Sequence, residues 1–518
     1  MAVKWLARVV AVLAALIGSA LALAGEPTPR RPNILLVTVD DMGWNSVGAF
    51  GAPIAGITPH IDALARSGRR FERAYVAASN CSPSRVALQT GLTPQQSGAT
   101  GFFYIDDTDT PSLATELRKH GYFTGIIGKP ADTNPSPDSR KYWDVQENFG
   151  GVRKHSASLI GQTTARFFGT ARRADRPFYL VVNIADPHKP NFNDPEATAA
   201  GADAFAPSRI IAEHEVSVPA FLPDLPGIRA DVRNYQNSVK RADDTFGAVM
   251  AALAASGLEE ETLVIFLSDH GMPFPFAKSS VYDNGLRTPL VMRWPGRIAP
   301  GRVSSDLVAA IDVMPTILEA AGIPMPTGHD YTGRSLLNAD APPRDYVFGS
   351  FDENARGYPV PMRGTIGRDW AYVFNAWSDG EHALKNDDMN HASFKQMLRH
   401  APKDAAVRVR LDYYLSPPVE ELCHLKVDPD CLINLAGNPA HSAVLEEMRR
   451  ATRAQMVRTG DYLLEAFDVR TDRALLRAFM QRQREAAQDR ATRLQWKRPD
   501  TIAGPARRNR ALFRYVED

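Results

Sequence analysis

Three features are scarce in this sequence, and each scarcity excludes a class of protein. Only 3 of the 518 residues are cysteine, which is too few for a small scaffold held together by disulfides. The 60 Lys and Arg residues nearly balance 59 Asp and Glu residues, giving a formal net charge of +1, so nothing indicates a nucleic-acid partner. After residue 24 no apolar run approaches the ~18 residues of a membrane-spanning helix. What remains is a globular chain long enough for two or three domains.

The single long apolar run lies at the start of the chain. Lys4 and Arg8 accompany the segment VVAVLAALIGSALALA, and the tripeptide ALA (22–24) provides a small-x-small cleavage site. This order is typical of a secretory signal peptide, and an uncleaved membrane anchor is the alternative. We expect residues 1–24 to be removed. The mature protein is then exported to the periplasm or the medium, or to a lysosome-like lumen in a eukaryote, without a membrane contact of its own.

Apolar runs alternate with helical patterns through the first two thirds of the chain. Four of the runs end in charged or imidazole-bearing residues: NILLVTVDD (33–41), YFTGIIGK (122–129), FYLVVNIADPH (178–188) and TLVIFLSDHG (262–271). A long amphipathic helix is predicted over 231–257, after a proline-rich loop over 207–230. The alternation predicts an α/β fold with a mixed, mostly parallel sheet flanked by helices. Such sheets bind ligands at the carboxyl ends of their strands.

The pattern changes near residue 345. WAYVFNAW (370–377) and EELCHLKVDP (420–429) are typical of antiparallel strands, and a helical pattern covers 443–464. The tail is rich in arginine and helical, and we expect it to be a solvated helix packed through Leu475 and Phe479, not a binding arm. The predicted organisation is a signal peptide (1–24), a catalytic domain (25–344), a smaller C-terminal α+β domain (345–470) and the Arg-rich helical tail (471–518).

Two of the strand ends carry groups that suit a metal ion. Asp40 and Asp41 follow one predicted strand, and Asp269 and His270 follow another. Adjacent carboxylates in one crevice repel each other unless a cation or hydrogen-bond donors neutralise them. Aspartates at strand ends are also common helix caps, so one pair alone would be weak evidence. Together the two pairs predict an oxygen-rich site for a hard divalent cation, Ca²⁺ or Mg²⁺, while the histidine suits Mn²⁺ or Zn²⁺.

The three cysteines occupy two different settings. Cys423 and Cys431 lie eight residues apart and could form a disulfide in an oxidising compartment, or remain two buried thiols. Either way Cys81 has no partner. It lies in the stretch NCSPSRVALQTG (80–91), before a proline and four residues ahead of Arg85, at the start of a predicted helix. Arg85 and a helix N-terminus would favour a thiolate, but nothing nearby resembles a cysteine-protease signature.

The segment CSPSRVALQTG resembles the signature of the sulfatases, in which the cysteine is oxidised after translation to formylglycine. Other stretches follow in the family's order: VTVDD, TPHIDALARSG, GIIGK, ADPH, LVIFLSDHG, GLRTPL, DVMPTILEAAGI, TGRSLL and EELCHLKVDPDCLINLA. The likeness covers roughly residues 30–465 and implies an alkaline phosphatase-like fold. PFPFAKSS, VSVPAFLPDLPGIRAD and YPVPMRG are similar to the sulfamidase subgroup, which removes N-sulfate from glucosamine.

The resemblance implies a role for each matching residue. Asp40, Asp41, Asp269 and His270 hold the cation together with the modified side chain of Cys81. Arg85 and Lys129 steady that side chain, and His188 and Lys278 face the sulfate and the leaving group. A hydrated formylglycine carries two geminal hydroxyls, so one attacks sulfur and the other then loses its proton as sulfate leaves. We expect His188 to be the acid for the leaving group because histidine titrates near working pH. The implied partners are a sulfated sugar and a formylglycine-generating enzyme; the sequence leaves a homodimer open.

Two departures from the family pattern stand out. The family has Gly-Lys-x-His where this chain reads Gly128-Lys129-Pro130-Ala131, so either another group (His155, His214 or a water) replaces that histidine or turnover is slow. His270 stands where sulfamidases have asparagine. Two other functions therefore stay open: a phosphate or phosphonate monoester hydrolase on the same scaffold, and a non-catalytic binder of sulfated glycans.

Overall fold

The computed structural model describes residues 31–101, 110–135, 139–338 and 342–497. The predicted signal peptide (1–24) and the end of the tail lie outside these ranges. In the described part of the chain, no helix is both long and apolar enough to cross a membrane.

An eight-stranded sheet forms the centre of the larger unit, in the spatial order β4-β3-β5-β1-β6-β7-β2-β8. Only β7 runs antiparallel to its two neighbours, and the other pairs are parallel. The strands are β1 (Asn33–Val39), β2 (Arg69–Tyr75), β3 (Phe123–Ile127), β4 (Val145–Glu147), β5 (Phe178–Ile184), β6 (Thr262–Ser268), β7 (Arg287–Arg293) and β8 (Arg302–Ala309). The mixed, mostly parallel sheet predicted from the alternating pattern is therefore confirmed.

The central strands are apolar along their whole length because both faces of the sheet are covered. Every residue of β1, β5 and β6 is buried, as expected when helices pack on both sides of parallel strands. The helices are α1 (Pro59–Ser67), α2 (Cys81–Thr90), α3 (Pro94–Ser97), α4 (Leu113–Lys119), α5 (Ala157–Arg173), α6 (Pro195–Ala199), α7 (Pro226–Ser256), α8 (Asp283–Leu286), α9 (Val313–Ala320), α10 (Ala392–His400), α11 (Ala405–Leu415), α12 (Ser442–Thr459), α13 (Leu464–Asp468) and α14 (Arg473–Lys497).

A second, antiparallel sheet forms the smaller unit near the C-terminus, in the order β12-β11-β10-β9. Its strands are β9 (Val347–Glu353), β10 (Pro359–Ile366), β11 (Trp370–Asn375) and β12 (Glu420–His424). One bridge between Ala78 and Ser350 links it to the segment that precedes Cys81. Cys423 of β12 forms a disulfide with Cys431, which decides between the two alternatives left by the sequence.

Two local predictions differ from the structure. The helix expected from residue 231 begins at Pro226, because proline fits the first turn of a helix, where its missing N–H is not needed. In the tail helix Leu475 is 50% exposed, while its neighbour Leu476 is 0% exposed and Phe479 is 2% exposed. Leu476, and not Leu475, therefore packs α14 onto the protein.

Candidate active site at the carboxyl ends of the strands

The chain segments that leave four neighbouring strands carry most of the predicted site residues. Asp40 and Asp41 follow β1, Lys129 follows β3, His188 follows β5, and Asp269 and His270 follow β6. These four strands are adjacent in the sheet and parallel, so their carboxyl ends share one edge. Asp41 and Lys129 have positive φ values of 69° and 50°, a region that is costly for residues other than glycine and recurs at functional sites.

Cys81 reaches the same edge from the first residue of α2. Pro83 lies within the first turn of the helix, where proline is tolerated, and the helix ends before Gly91, whose φ is 65°. The cysteine side chain is only 2% exposed. Its Sγ lies 3.5 Å from Oδ1 of Asp40, 3.4 Å from Nε2 of His270 and 3.7 Å from Nζ of Lys278.

Arg85 ties the ends of three strands together. It lies one helical turn after Cys81 and is 1% exposed. Its Nε donates to Oδ2 of Asp269 at 3.1 Å, and its Nη1 lies 2.6 Å from both Thr38 Oγ1 of β1 and Asn183 Oδ1 of β5. Thr38 and Asn183 were not predicted from the sequence, although each is a polar residue inside an otherwise apolar run. They orient the guanidinium and so belong to the architecture of the site.

The two lysines pair with the two adjacent aspartates. Lys278 Nζ lies 2.6 Å from Asp41 Oδ1, and Lys129 pairs with Asp40. Burial acts to raise the pKa of Asp40, but the charges of Lys129, His188 and Arg85 outweigh it and hold that pKa well below its usual value. The pKa of Asp41 is also lowered, because Lys278 and the nearby histidines outweigh burial. Both carboxyl groups are therefore ionised at neutral pH.

The donor atoms at the centre of the site suit a metal ion. Ligand atoms of Asp40, Cys81, Asp269 and His270 all lie within 4.8 Å of one another, and all four residues are buried. Nδ1 of His270 lies 3.0 Å from the carbonyl oxygen of Gly271. A carbonyl only accepts, so Nδ1 carries a proton and Nε2 is the ring nitrogen that faces the cluster.

An orphaned carboxylate oxygen gives a second test of this fit. Oδ2 of Asp41 is buried and has no hydrogen-bond partner in the part of the chain that the structure describes. A buried, unsatisfied polar atom is costly, the more so on an ionised group. A divalent cation with oxygen ligands would satisfy that atom, so the cluster fits a metal site.

The thiol of Cys81 is poorly suited to act as an unmodified nucleophile. Burial raises its pKa well above the ordinary value, with Asp40 and Asp269 acting in the same direction and the two lysines opposing. The side chain as encoded is therefore a neutral thiol at neutral pH, whereas thiol chemistry requires the thiolate. This argues against protease-like cysteine catalysis.

His188 differs in one respect from the prediction. Burial lowers its pKa to about 4, with the charges of Lys278 and Lys129 adding to the effect and Asp41 and Asp40 opposing it. The expectation that this imidazole titrates near neutral pH is therefore wrong for the protein without substrate. Nδ1 of His188 lies 2.6 Å from the carbonyl oxygen of Lys189, so the proton of the neutral ring is on Nδ1.

Ala131 supplies no imidazole at the position where the family pattern has a histidine. Ala131 is exposed, and the following residue, Asp132, accepts a hydrogen bond from Ser82 Oγ at 3.0 Å. Two histidines were expected as replacements for the family's histidine. His155 is buried and its Nδ1 lies 3.0 Å from Oδ2 of Asp186, while His214 is exposed. Among the described residues, neither imidazole bonds to Cys81. Asp132 is therefore a further carboxylate at the start of α2, in addition to Asp40, and no sequence motif indicated it.

Comparisons with known proteins agree with this geometry. The family model described as Sulfatase matches residues 32–323. The chain is 32% identical over 453 residues to the human N-sulphoglucosamine sulphohydrolase, covering 81% of this chain and 89% of that protein. It is 25% identical over 475 residues to an ulvan-active sulfatase of Formosa agariphila, covering 84% of this chain and 76% of that protein.

A solved structure shares the fold. A 2-O GAG sulfatase superposes with a TM-score of 0.61 at 20% identity, covering 83% of this chain and 93% of that one. The predicted architecture and the predicted family are both confirmed. The chain belongs to the sulfatase family of sulfuric ester hydrolases.

Proposed function

We propose that the protein hydrolyses the sulfate or sulfamate group of a sulfated sugar, with glucosamine N-sulfate as the first candidate substrate. The observation that carries the proposal is the buried position of Cys81 Sγ, within 3.7 Å of Asp40, His270 and Lys278. In this proposal Cys81 is converted to formylglycine and a divalent cation is bound beside it. The choice of an N-sulfated sugar is supported by the similarity to the human N-sulphoglucosamine sulphohydrolase.

The cation in this proposal is held by Asp40, Asp41, Asp269, His270 and the modified side chain of residue 81. Carboxylate oxygens favour Ca²⁺, with Mg²⁺ as an alternative, and the imidazole nitrogen also admits Mn²⁺. When bound, the cation and the formylglycine would supply a Lewis acid and a hydroxyl-bearing nucleophile at the floor of the site.

The chain's own cations would stabilise the anionic group during the reaction. Lys129 and Lys278 each pair with one aspartate of the cluster, and Arg85 is fixed by its bonds to β1, β5 and Asp269. Positive groups held in place, in a site that excludes water, stabilise charge that accumulates in a transition state. We assign them this role toward the sulfate.

His188 is proposed to protonate the leaving nitrogen or oxygen. Because its pKa is lowered to about 4 without substrate, the imidazole needs a nearby negative charge to gain its second proton. A bound sulfate group supplies that charge and raises the pKa of a neighbouring imidazole. The protonated ring would then donate from Nε2, since Nδ1 already donates to the carbonyl of Lys189.

Maturation of Cys81 is proposed to precede folding. Cys81 and Arg85 are 2% and 1% exposed, and Pro83 between them is buried. A formylglycine-generating enzyme that reads these three residues would need them in an extended chain. This order agrees with export of the protein, which we propose from the signal-peptide pattern of residues 1–24.

The proposal is tested by measuring sulfate released from glucosamine N-sulfate by protein produced in its native host. The same protein is assayed on phenyl phosphate at equal concentration, with Cys81→Ala as the control. Sulfate release that depends on Cys81 supports the proposal. Preferential release of phosphate would favour a phosphomonoester hydrolase instead. Saturable binding of the sugar without release would favour a binder, the alternative that Ala131 in place of histidine raises.

A further inference from the structure

A segment of the smaller unit, residues 386–393, bridges the two loops that carry Lys278 and His188. At one end, Asn386 Nδ2 donates to the carbonyl of Ser279, the residue after Lys278, at 3.3 Å. At the other end, the Ser393 N–H donates to Asp231 Oδ2 at 2.9 Å, and Asp231 also pairs with Lys189, the residue after His188. The segment therefore borders the side of the site assigned to the leaving group.

His391 lies between these two anchors with a fixed orientation. Its Nδ1 is 3.2 Å from the carbonyl oxygen of Pro273, in the loop that leads to Lys278. A carbonyl only accepts, so Nδ1 donates and Nε2 is left as an acceptor. The ring is half-buried and does not cap α10, although His391 is the residue before its first turn. Among the described residues none forms a hydrogen bond to Nε2.

The surroundings keep this imidazole neutral. Burial lowers the pKa of His391 to about 3, and the positive charges of Lys189 and Lys278 act in the same direction, against Asp231 and Asp41. Both lysines are engaged, Lys189 by Asp231 and Lys278 by Asp41. His391 thus presents an uncharged acceptor beside two paired cations.

The chemistry of an acceptor restricts what His391 can bind. Sulfate oxygens are themselves acceptors, so the lone pair on Nε2 of the neutral ring repels them and favours a group that has a proton to donate. A sugar hydroxyl, in contrast, has an O–H to donate. We propose that His391 is a specificity-determining residue whose Nε2 accepts a hydrogen bond from a ring hydroxyl of the sugar that carries the sulfate. This inference rests on the proposed function and assigns the smaller unit a part in substrate choice.

The test compares a sugar with a substrate that has no ring hydroxyl. Wild type, His391→Ala and His391→Gln are assayed on glucosamine N-sulfate and on nitrophenyl sulfate. We expect His391→Ala to lower the ratio of kcat/KM for the sugar to kcat/KM for the aryl sulfate by about tenfold, the value of one lost hydrogen bond. Gln retains an acceptor on a side chain of similar reach and should restore part of the ratio. His400→Ala is the matched control, because α10 has nine residues and His400, its last residue, lies about 13.5 Å along the helix axis from His391.

A binding measurement separates this inference from the proposed function. In the Cys81→Ala background, where no turnover is expected, adding His391→Ala should weaken the calorimetric Kd for glucosamine N-sulfate by about tenfold. An unchanged Kd together with an unchanged specificity ratio would overturn the role of His391. Equal losses on both substrates would also overturn it, since they would indicate a structural role. If wild type releases sulfate from neither compound, the proposed function fails, while the binding comparison still tests His391.

Discussion

Cys81 Sγ and His270 Nε2 lie 3.4 Å apart although 189 residues separate them in the chain. The first residue begins a helix and the second follows the central strand β6, so only the completed sheet brings them together. Neither a cysteine at the start of a helix nor a histidine at the end of a strand would indicate a functional site on its own. Their contact places the residue that the family oxidises directly beside a cluster that fits a cation.

Replacing Cys81 by alanine should remove turnover and leave the fold intact. The side chain is small and lies at the edge of the sheet, so its loss leaves no large cavity. Loss of the nucleophile should reduce kcat by at least about 10³-fold, measured as sulfate release. The thermal unfolding midpoint of the variant should stay within about 3 °C of wild type. Residual activity near the wild-type level would exclude residue 81 as the nucleophile.

Arg85→Met should destabilise the protein strongly as well as inactivate it. The guanidinium is 1% exposed and pairs with Asp269 and Asp40, so the substitution removes the arginine partner of two buried carboxylates, of which Asp40 keeps its pair with Lys129. Breaking a buried ion pair from one side costs about 3–5 kcal/mol. The matched control is Arg458→Met, whose pair with Asp330 is about half exposed, so solvent screens it and its loss should change stability far less. The free energy of unfolding of both variants is measured by urea unfolding. Similar losses of stability in the two variants would contradict the structural role of Arg85.

Removing divalent cations should lower both activity and thermal stability. A ligand that binds only the folded state stabilises it by about 2.7 kcal/mol at 100 times its Kd. Protein treated with a chelator should therefore unfold at a lower temperature, and added Ca²⁺ should restore the midpoint. Asp40→Asn should lose this response, and Asp330→Asn, an exposed substitution, should keep it. A midpoint indifferent to Ca²⁺, Mg²⁺ and Mn²⁺ would contradict the cation site.

Asp388 should make the stability depend on pH. It is 2% exposed and accepts a hydrogen bond from Tyr414 at 2.5 Å. Burial raises its pKa from 3.8 to about 7, with Asp387 adding to the effect. The folded protein then holds this proton up to about pH 7, whereas the unfolded chain loses it near pH 4. The free energy of unfolding should therefore fall as pH rises through this window, by up to about 4 kcal/mol.

The measurement for Asp388 is urea unfolding between pH 4 and pH 8. Asp388→Asn keeps an acceptor for the Tyr414 hydroxyl and removes the titration, so its stability should change less with pH than that of wild type. Asp306→Asn, at an exposed position, should follow the wild-type profile. Parallel profiles for all three proteins would show that Asp388 does not hold a proton at neutral pH.

The central strands, and the gathering of the candidate site residues at one edge of the sheet, were predictable because their sequence signals are local. The runs ending at Asp40, Lys129, His188 and Asp269 are mostly apolar and finish in polar groups, which is the pattern of a parallel sheet with covered faces. Strand β2, with the sequence RRFERAY, was not predicted because it is not an apolar run. It lies near the edge of the sheet and is only partly buried, so charged residues are tolerated along it.

The supporting residues could not be predicted because they come from distant parts of the chain. Thr38 and Asn183 orient Arg85 from two different strands, and His391 comes from the smaller unit. Each is an ordinary polar residue in its own segment, with no motif to mark it. The lowered pKa of His188 was missed for a similar reason, because burial by the folded protein is its main cause.

The mass of the peptide containing Cys81, from protein made in its native host, tests the central claim most directly. We expect the mass of an aldehyde at residue 81 in a large fraction of the molecules, and reaction of that residue with a carbonyl reagent such as a hydrazide. The accompanying control is the Pro83→Ala, Arg85→Ala double variant, which should keep the thiol because the proposed maturation enzyme would read these residues. An unmodified thiol throughout the wild-type protein would contradict the proposed mechanism, because the neutral, buried Cys81 has no other means of attacking a sulfate.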